Sequence, residues 1–129
     1  MTHTVAIVLL LFALLEIKHM LADYFLQTRW MLQGRGGYLH LGRAAHAGVH
    51  ALGSVIVFLI VGAPLGFIAC IVVLEWIVHF HIDFWKASFS EKKCLTPDQA
   101  AFWRAAGFDQ WLHHMTYVAM TWAWVKFAI

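Results

Sequence analysis

Charged residues are scarce in this sequence of 129 residues, where Asp, Glu, Lys and Arg make up 12% against the ~25% usual in soluble domains. This shortage excludes a disordered tail, a solvated repeat array and a module that binds nucleic acid through basic patches. Cysteine is also rare: Cys70 lies in an apolar run and Cys94 in a polar stretch, which argues against a disulfide framework. Apolar residues, by contrast, reach 62%. Together these features indicate one domain, residues 1–129, surrounded by lipid.

Four stretches are long and apolar enough to cross a bilayer as helices, which takes about 20 residues each. They predict an all-α membrane protein, an antiparallel bundle of four transmembrane helices over about 4–30, 43–61, 65–86 and 98–126. The stretches are separated by a Gly-rich segment at 34–42, a turn at 62–66 and a polar loop at 88–98. No basic run precedes the first stretch and no cleavage pattern follows it, so we expect a retained helix rather than a signal peptide.

Basic residues lie mostly on one side of the predicted bundle. The first and third connections are flanked by Lys18, Arg29, Arg35, Arg43, Lys86, Lys92, Lys93 and Arg104. The opposite side has Lys126 alone. By the positive-inside rule, both long connections are predicted to be cytoplasmic and both termini to lie outside. Tyr117, Trp122 and Trp124 are expected in an aromatic belt at the membrane interface.

Ionisable residues inside membrane helices cost several kcal/mol unless paired, which makes them candidates for function. In this sequence they occur in pairs spaced i,i+4, and this spacing stacks two side chains on one helix face. Each predicted helix contains one pair: His19 and Asp23, His46 and His50, His79 and Asp83, Asp109 and His113. With Glu75 and His79 the sequence has five such pairs, where random placement would give roughly two.

The four pairs are predicted to lie at one depth in the membrane. At ~1.5 Å per residue, the inner member of each pair falls roughly 18–24 Å from the outer end of its helix. An up-and-down bundle would therefore gather five imidazoles and three carboxylates just below the cytoplasmic interface. These groups are the usual ligands of zinc and of non-haem iron or manganese, and eight donors suit two ions better than one.

The paired residues lie within four longer motifs. These are His19-Met-Leu-Ala-Asp23-Tyr-Phe-Leu-Gln27-Thr28, His46-Ala-Gly-Val-His50, His79-Phe-His-Ile-Asp83-Phe-Trp-Lys86 and Asp109-Gln110-Trp-Leu-His113. In this order, and over nearly the whole chain, the motifs resemble the Domain of Unknown Function 3307 family of small bacterial membrane proteins. The resemblance implies a multi-pass protein of the bacterial inner membrane and supports the fold and the positions singled out above. It implies no reaction, because the family has no established activity.

Two more residues are candidates for catalytic roles. Glu75 lies one turn from His79 on the same face, where we expect it to accept a hydrogen bond from an imidazole; the alternatives are a metal ligand and a general base. Lys86, one turn past Asp83, is expected either to pair with it or bind an anionic substrate group, or to anchor the helix at the cytoplasmic surface. Gln27 and Gln110 are expected either to orient ligands or water, or only to face the bundle interior.

The first functional hypothesis is a membrane-embedded di-metal hydrolase that acts on a lipid or lipid-linked phosphate or ester at the cytoplasmic leaflet. Zinc is the favoured ion, ahead of iron or manganese. The expected partners are the lipid bilayer, a lipid-like substrate and a second copy in a homo-oligomer, with no nucleic acid. The alternatives are a di-iron or haem redox protein, a metal-ion transporter or binding subunit without catalysis, and a hydrogen-bond network that only joins helices.

Overall fold

The computed structural model describes residues 3–129 and is helical throughout, apart from short connections. The helices of this range are α1 (His3–Tyr24), α2 (Arg29–Leu32), α3 (Leu41–Ile60), α4 (Leu65–Lys92) and α5 (Ala100–Phe127). Helix α1 packs against α3 and α5, and α4 packs against the same two helices from the other side. The four long helices therefore form a closed square, with α1 diagonal to α4 and α3 diagonal to α5. The predicted all-α fold is confirmed.

The predicted first helix, 4–30, is divided in the structure. Helix α1 ends at Tyr24, and the chain begins again as the short helix α2 at Arg29. Thr28 starts this second helix, because its hydroxyl oxygen accepts a hydrogen bond of 3.4 Å from the backbone N–H of Met31. The predicted helix was too long because it rested on apolar content alone, and Phe25 and Leu26 at the break are apolar although they are exposed.

Two other boundaries differ from the predictions. Helix α4 continues beyond residue 86 to Lys92, through Ala, Ser, Glu and Lys residues that tolerate or favour a helix. Helix α5 begins at Ala100 rather than near 98, because Pro97 lies in a turn before the helix and not in its first turn. The loop predicted at 88–98 is consequently shorter, because only residues 93–99 separate α4 from α5.

The prediction of four transmembrane helices is only partly supported. Within residues 3–129, three helices are long and apolar enough to cross a membrane: α1, α3 and α4. Helix α5 is equally long but too polar to meet that standard, because residues such as Arg104, Asp109 and His113 lower its hydropathy. Asp109 and His113 are nevertheless buried inside the bundle, so much of the polarity of α5 is directed inward.

One half of the bundle interior is apolar. This half contains the ends of the helices opposite the long connections, and its core is Leu11, Leu15, Val57, Phe58, Ala63, Ile68, Tyr117, Met120 and Trp124. The other half of the interior is polar, whereas large apolar side chains such as Leu52, Ile60 and Val73 are exposed on the outside. This arrangement reverses the usual distribution in soluble proteins and favours a lipid environment.

Two of the three residues predicted to form an aromatic belt are buried inside the bundle instead. Trp122 is exposed, but Tyr117 and Trp124 are only 1% and 2% exposed. These two residues lie on the inward face of α5, because they follow His113 at helical spacing and so share its side of the helix. Composition near a helix end could not distinguish the two faces.

Candidate metal centre

The polar half of the interior contains all eight predicted ligands. Seven of them are buried and Asp23 is half-buried. The i,i+4 spacing places both members of each pair on the inner face of their helix, as predicted. Because neighbouring helices run in opposite directions, the late turns of α1 and α4 meet the early turns of α3 and α5. The site is thus assembled from one pair per long helix.

The carboxylate of Asp23 joins imidazoles from two helices. Its Oδ1 lies 3.2 Å from Nε2 of His46 and 2.9 Å from Nε2 of His50. Its Oδ2 lies 3.3 Å from Nε2 of His19, one turn earlier on the same helix. One oxygen atom therefore faces both histidines of the α3 pair, in the geometry of adjacent ligands of one ion.

The carboxylate of Asp83 plays the corresponding part on α4. Its Oδ1 lies 3.5 Å from Nε2 of His113 and 3.9 Å from Nε2 of His79. Its Oδ2 lies 3.9 Å from Nε2 of His46, which brings the two carboxylate clusters into contact. Asp83 and Asp23 thus approach the same group of imidazoles from opposite corners of the bundle.

The donors form two sets that share His79. One set is Asp23, His46, His50 and His79, and the other is His79, Asp83 and His113; within each, all ligand atoms lie within 4.8 Å of one another. A tetrahedral zinc ion with bonds of ~2.0–2.1 Å holds its ligand atoms roughly 3.3 Å apart. The separations of 2.9–3.9 Å around Asp23 and Asp83 are close to this value. The donor chemistry and spacing of both sets therefore fit a metal ion.

The shared imidazole of His79 lies between the two sets. Its ring centroid is 3.9 Å from that of His50 and 4.2 Å from that of His113. Its Nε2 is buried without a hydrogen-bond partner among residues 3–129. A buried polar atom without a partner is unusual in native proteins and points to a missing ligand or ion.

His19 and Asp109 lie at the edge of the cluster, outside both donor sets. His19 places its Nδ1 2.9 Å from the Tyr117 hydroxyl and its Nε2 3.0 Å from Oε1 of Gln110. Asp109 lies 3.7 Å from Nε2 of His113 and accepts a hydrogen bond of 3.2 Å from the amide of Gln110. Gln110 joins these two residues to the centre, and their role as metal ligands stays a prediction.

Tyr117 belongs to this site but was not predicted from the sequence to do so. The hydroxyl oxygen of Tyr117 lies 2.9 Å from Nδ1 of His19 and 3.3 Å from Nδ1 of His50. It can accept an N–H from each imidazole, since a hydroxyl oxygen has two lone pairs. This arrangement leaves Nε2 of His50 to face the centre. The signal was the i,i+4 spacing of Tyr117 from His113, which the search for ionisable pairs did not include.

Glu75 forms an ion pair deeper in the bundle. Its Oε1 accepts a hydrogen bond from the ammonium of Lys18, which also donates to the backbone carbonyl of His50 at 3.2 Å. The expected hydrogen bond from an imidazole to Glu75 is absent from the described part of the chain. Lys18 was expected near the cytoplasmic surface, but it is 8% exposed and crosses the diagonal from α1 to α4. Its burial is possible because Glu75 neutralises it.

A cavity of about 180 Å³ opens above the cluster, on the side of the long connections. The carboxylates of Asp23, Asp83 and Asp109 line it, and so do the cations Arg35 and Lys86. The guanidinium of Arg35 donates to Oδ2 of Asp83 at 3.0 Å. The cavity is large enough for several water molecules or for a group of comparable volume. The cluster is therefore accessible from this end, and Lys86 lies where an anion could reach it.

Comparison with known proteins agrees with the sequence motifs. Residues 10–129 match the model of the family described as protein of unknown function (DUF3307). This match confirms the resemblance identified from the four motifs. No curated protein and no solved structure matches the chain.

Proposed function

We propose that this chain, which belongs to the DUF3307 family of proteins of unknown function, is a membrane-embedded metalloprotein that binds two divalent ions. The observation that carries the proposal is the pair of donor sets that share His79, with ligand atoms contributed by all four long helices. Zinc is the favoured ion, because imidazole and carboxylate donors in a nearly tetrahedral spacing suit it. Iron or manganese is the second choice, since the same donors also bind these ions.

In this proposal all four long helices cross the membrane, which is the bacterial inner membrane, with the long connections in the cytoplasm. The outward apolar surface of α1, α3 and α4 supports contact with lipid. Helix α5 accompanies them because its polar residues Asp109 and His113 are buried against the other helices, where they cost little once paired. The metal centre then lies at the depth of the cytoplasmic leaflet.

The proposed activity is hydrolysis of a phosphate or ester on a lipid or lipid-linked substrate. Two adjacent divalent ions supply a hydroxide at neutral pH and stabilise charge on the attacked group. For a phosphomonoester, the hydroxide forms a bond to phosphorus while the bond from phosphorus to the alcohol oxygen breaks. The departing oxygen takes up a proton, and the products are inorganic phosphate and the alcohol. The cavity above the cluster is the route by which the headgroup would enter.

A hydrolase is favoured over a transporter by the apolar half of the bundle. Below the metal centre, the Lys18–Glu75 pair is followed by Leu11, Leu15 and Phe58, which are completely buried. A metal ion leaving the centre in that direction would have to lose its ligands among hydrocarbon side chains. A site open at one end suits substrate entry and product release through the same mouth.

Metal analysis of the purified protein tests this proposal. The chain is purified in detergent without chelator, supplied with zinc, desalted, and analysed for bound transition ions. We expect two ions per chain, and the loss of at least one in His79→Ala. The matched control is His81→Ala, which removes an exposed histidine two residues away on the same helix. A wild-type protein with fewer than two ions per chain would overturn the proposal, as would equal metal loss in both variants.

A further inference from the structure

The connection between α2 and α3 is fixed over the mouth of the cavity by Arg43. The guanidinium of Arg43 donates to the backbone carbonyls of Gly37 at 2.8 Å and Tyr38 at 3.0 Å, and also to that of Arg35. Arg43 is completely buried, and its charge lies 4.9 Å from the ring centroid of Phe80. Three carbonyls on one buried cation tie this connection to α3 and α4. The position of Arg35 is therefore set by the fold.

Arg35 extends from this connection into the cavity. Its Nε donates to the backbone carbonyl of Met31 at 2.9 Å, which orients the guanidinium, and one terminal nitrogen donates to Asp83 at 3.0 Å. The side chain is 15% exposed. Lys86 lines the same cavity from α4 and has no ion pair among residues 3–129. Two cations from separate elements thus converge on one small polar space.

The charge in this space depends on the metal centre. Without ions, the carboxylates of Asp23, Asp83 and Asp109 outnumber Arg35 and Lys86. With two divalent ions bound, the charge of the carboxylates is neutralised by metal, and Asp83 interacts with an ion as well as with Arg35. The cavity then has an excess of positive charge directly above the ions. A compact dianion is the ligand that matches this field.

We propose that Arg35 and Lys86 form an anion subsite that binds the dianionic phosphate of a phosphomonoester, next to the metal centre. This inference rests on the proposed function and names its substrate class. Arginine suits this role because its planar guanidinium donates two parallel hydrogen bonds to phosphate oxygens. In the loaded state Arg35 exchanges its bond to Asp83 for bonds to the phosphate, while Arg43 keeps the connection in place. Lys86 adds a second, more mobile charge.

Titration calorimetry of the zinc-loaded protein in detergent tests the subsite. The probes are inorganic phosphate and short-chain phosphatidic acid, with phosphatidylcholine as the lipid that lacks a phosphomonoester. We expect inorganic phosphate and phosphatidic acid to bind, and Arg35→Gln and Lys86→Gln each to raise their Kd about tenfold or more, since hydrogen bonds to charged groups are the strong ones. Tighter binding of phosphatidic acid supports a lipid source, and equal binding supports the subsite with a free phosphate source.

The control is Lys93→Gln, which removes one positive charge at the same end of the bundle but outside the cavity. It should leave both Kd values unchanged. A phosphate Kd unchanged in both Arg35→Gln and Lys86→Gln would overturn the subsite, and so would an equal rise in Lys93→Gln. Lys86→Gln keeps the test valid if Arg35→Gln fails to fold, because Lys86 forms no ion pair in the described range. Zinc content measured on the same samples separates the two proposals. If the variants retain two zinc ions per chain and their phosphate Kd equals that of the wild type, the subsite alone is refuted.

Discussion

Replacement of Tyr117 by Phe tests whether the metal centre depends on the residues behind its ligands. The change removes one oxygen atom and keeps the ring, which packs in the apolar core. The lost oxygen is the hydrogen-bond partner of Nδ1 in both His19 and His50. Without it, the imidazole of His50 can rotate or take the other tautomer, and its Nε2 lone pair faces the centre for less of the time.

The expected magnitude follows from the hydrogen bond of 3.3 Å to His50, because His50 belongs to a donor set and His19 does not. A neutral hydrogen bond contributes about 0.5–1.5 kcal/mol net. Since ~1.4 kcal/mol is a tenfold change in affinity, zinc should bind about 2- to 13-fold more weakly. This range overlaps the ~10- to 100-fold loss typical when a residue that orients a metal ligand is removed.

The assay is a zinc titration in competition with a chelator of known affinity, performed on both proteins in the same detergent. The matched control is Tyr38→Phe, which removes a hydroxyl 3.1 Å from Nε2 of the exposed residue His81. It deletes the same kind of tyrosine–histidine contact away from the cluster, so zinc affinity should stay at the wild-type value. A Tyr117→Phe protein that binds zinc within twofold of wild type would refute the reasoning, as would an equal loss in the control.

Two further predictions concern the bundle and its orientation. Lys18→Met should destabilise the protein by about 3–5 kcal/mol, because it leaves the carboxylate of Glu75 buried without a countercharge, and the double variant with Glu75→Leu should recover most of the loss. Unfolding in mixed micelles, followed by tryptophan fluorescence, measures the stability of both variants. A single variant within ~1 kcal/mol of wild type would contradict the ion pair. Cys94, exposed in the connection before α5, should react with a membrane-impermeant maleimide in inside-out vesicles but not in intact cells. Cys70 is exposed on the outside of the bundle and should stay unlabelled in both, because the proposed placement puts it against lipid. Labelling of Cys94 in intact cells would reverse the proposed orientation.

The convergence of the paired residues could be predicted from the sequence because it depends on two regular quantities. Helical spacing places His46 and His50 on one face, and the rise per residue fixes their depth. Antiparallel neighbours with equal depths must bring such faces together at one end. No knowledge of individual contacts was needed for Asp23 to meet the α3 pair, and the structure has this contact at 2.9 Å.

The remaining parts of the site depend on partners that are distant in the sequence. From the sequence alone Lys18 resembles an interfacial anchor, because its partner Glu75 is 57 residues away. Arg35 belongs to a Gly-rich connection, whose path is set by the buried guanidinium of Arg43 and not by any local pattern. The break between α1 and α2 was missed for a related reason, since the hydropathy of a stretch does not show where a turn and a new helix N-cap interrupt it. Pairing across the bundle, rather than periodicity, determines these features.

The sharing of His79 has a stoichiometric consequence. An imidazole nitrogen has one lone pair, so His79 can coordinate one ion at a time, and the two donor sets together offer six different residues. Two tetrahedral ions have eight coordination positions. With one ligand atom from each of these six residues, two positions would be open to solvent or substrate oxygens. Open positions of this kind distinguish reactive metal sites from purely architectural ones, which close all four positions with protein.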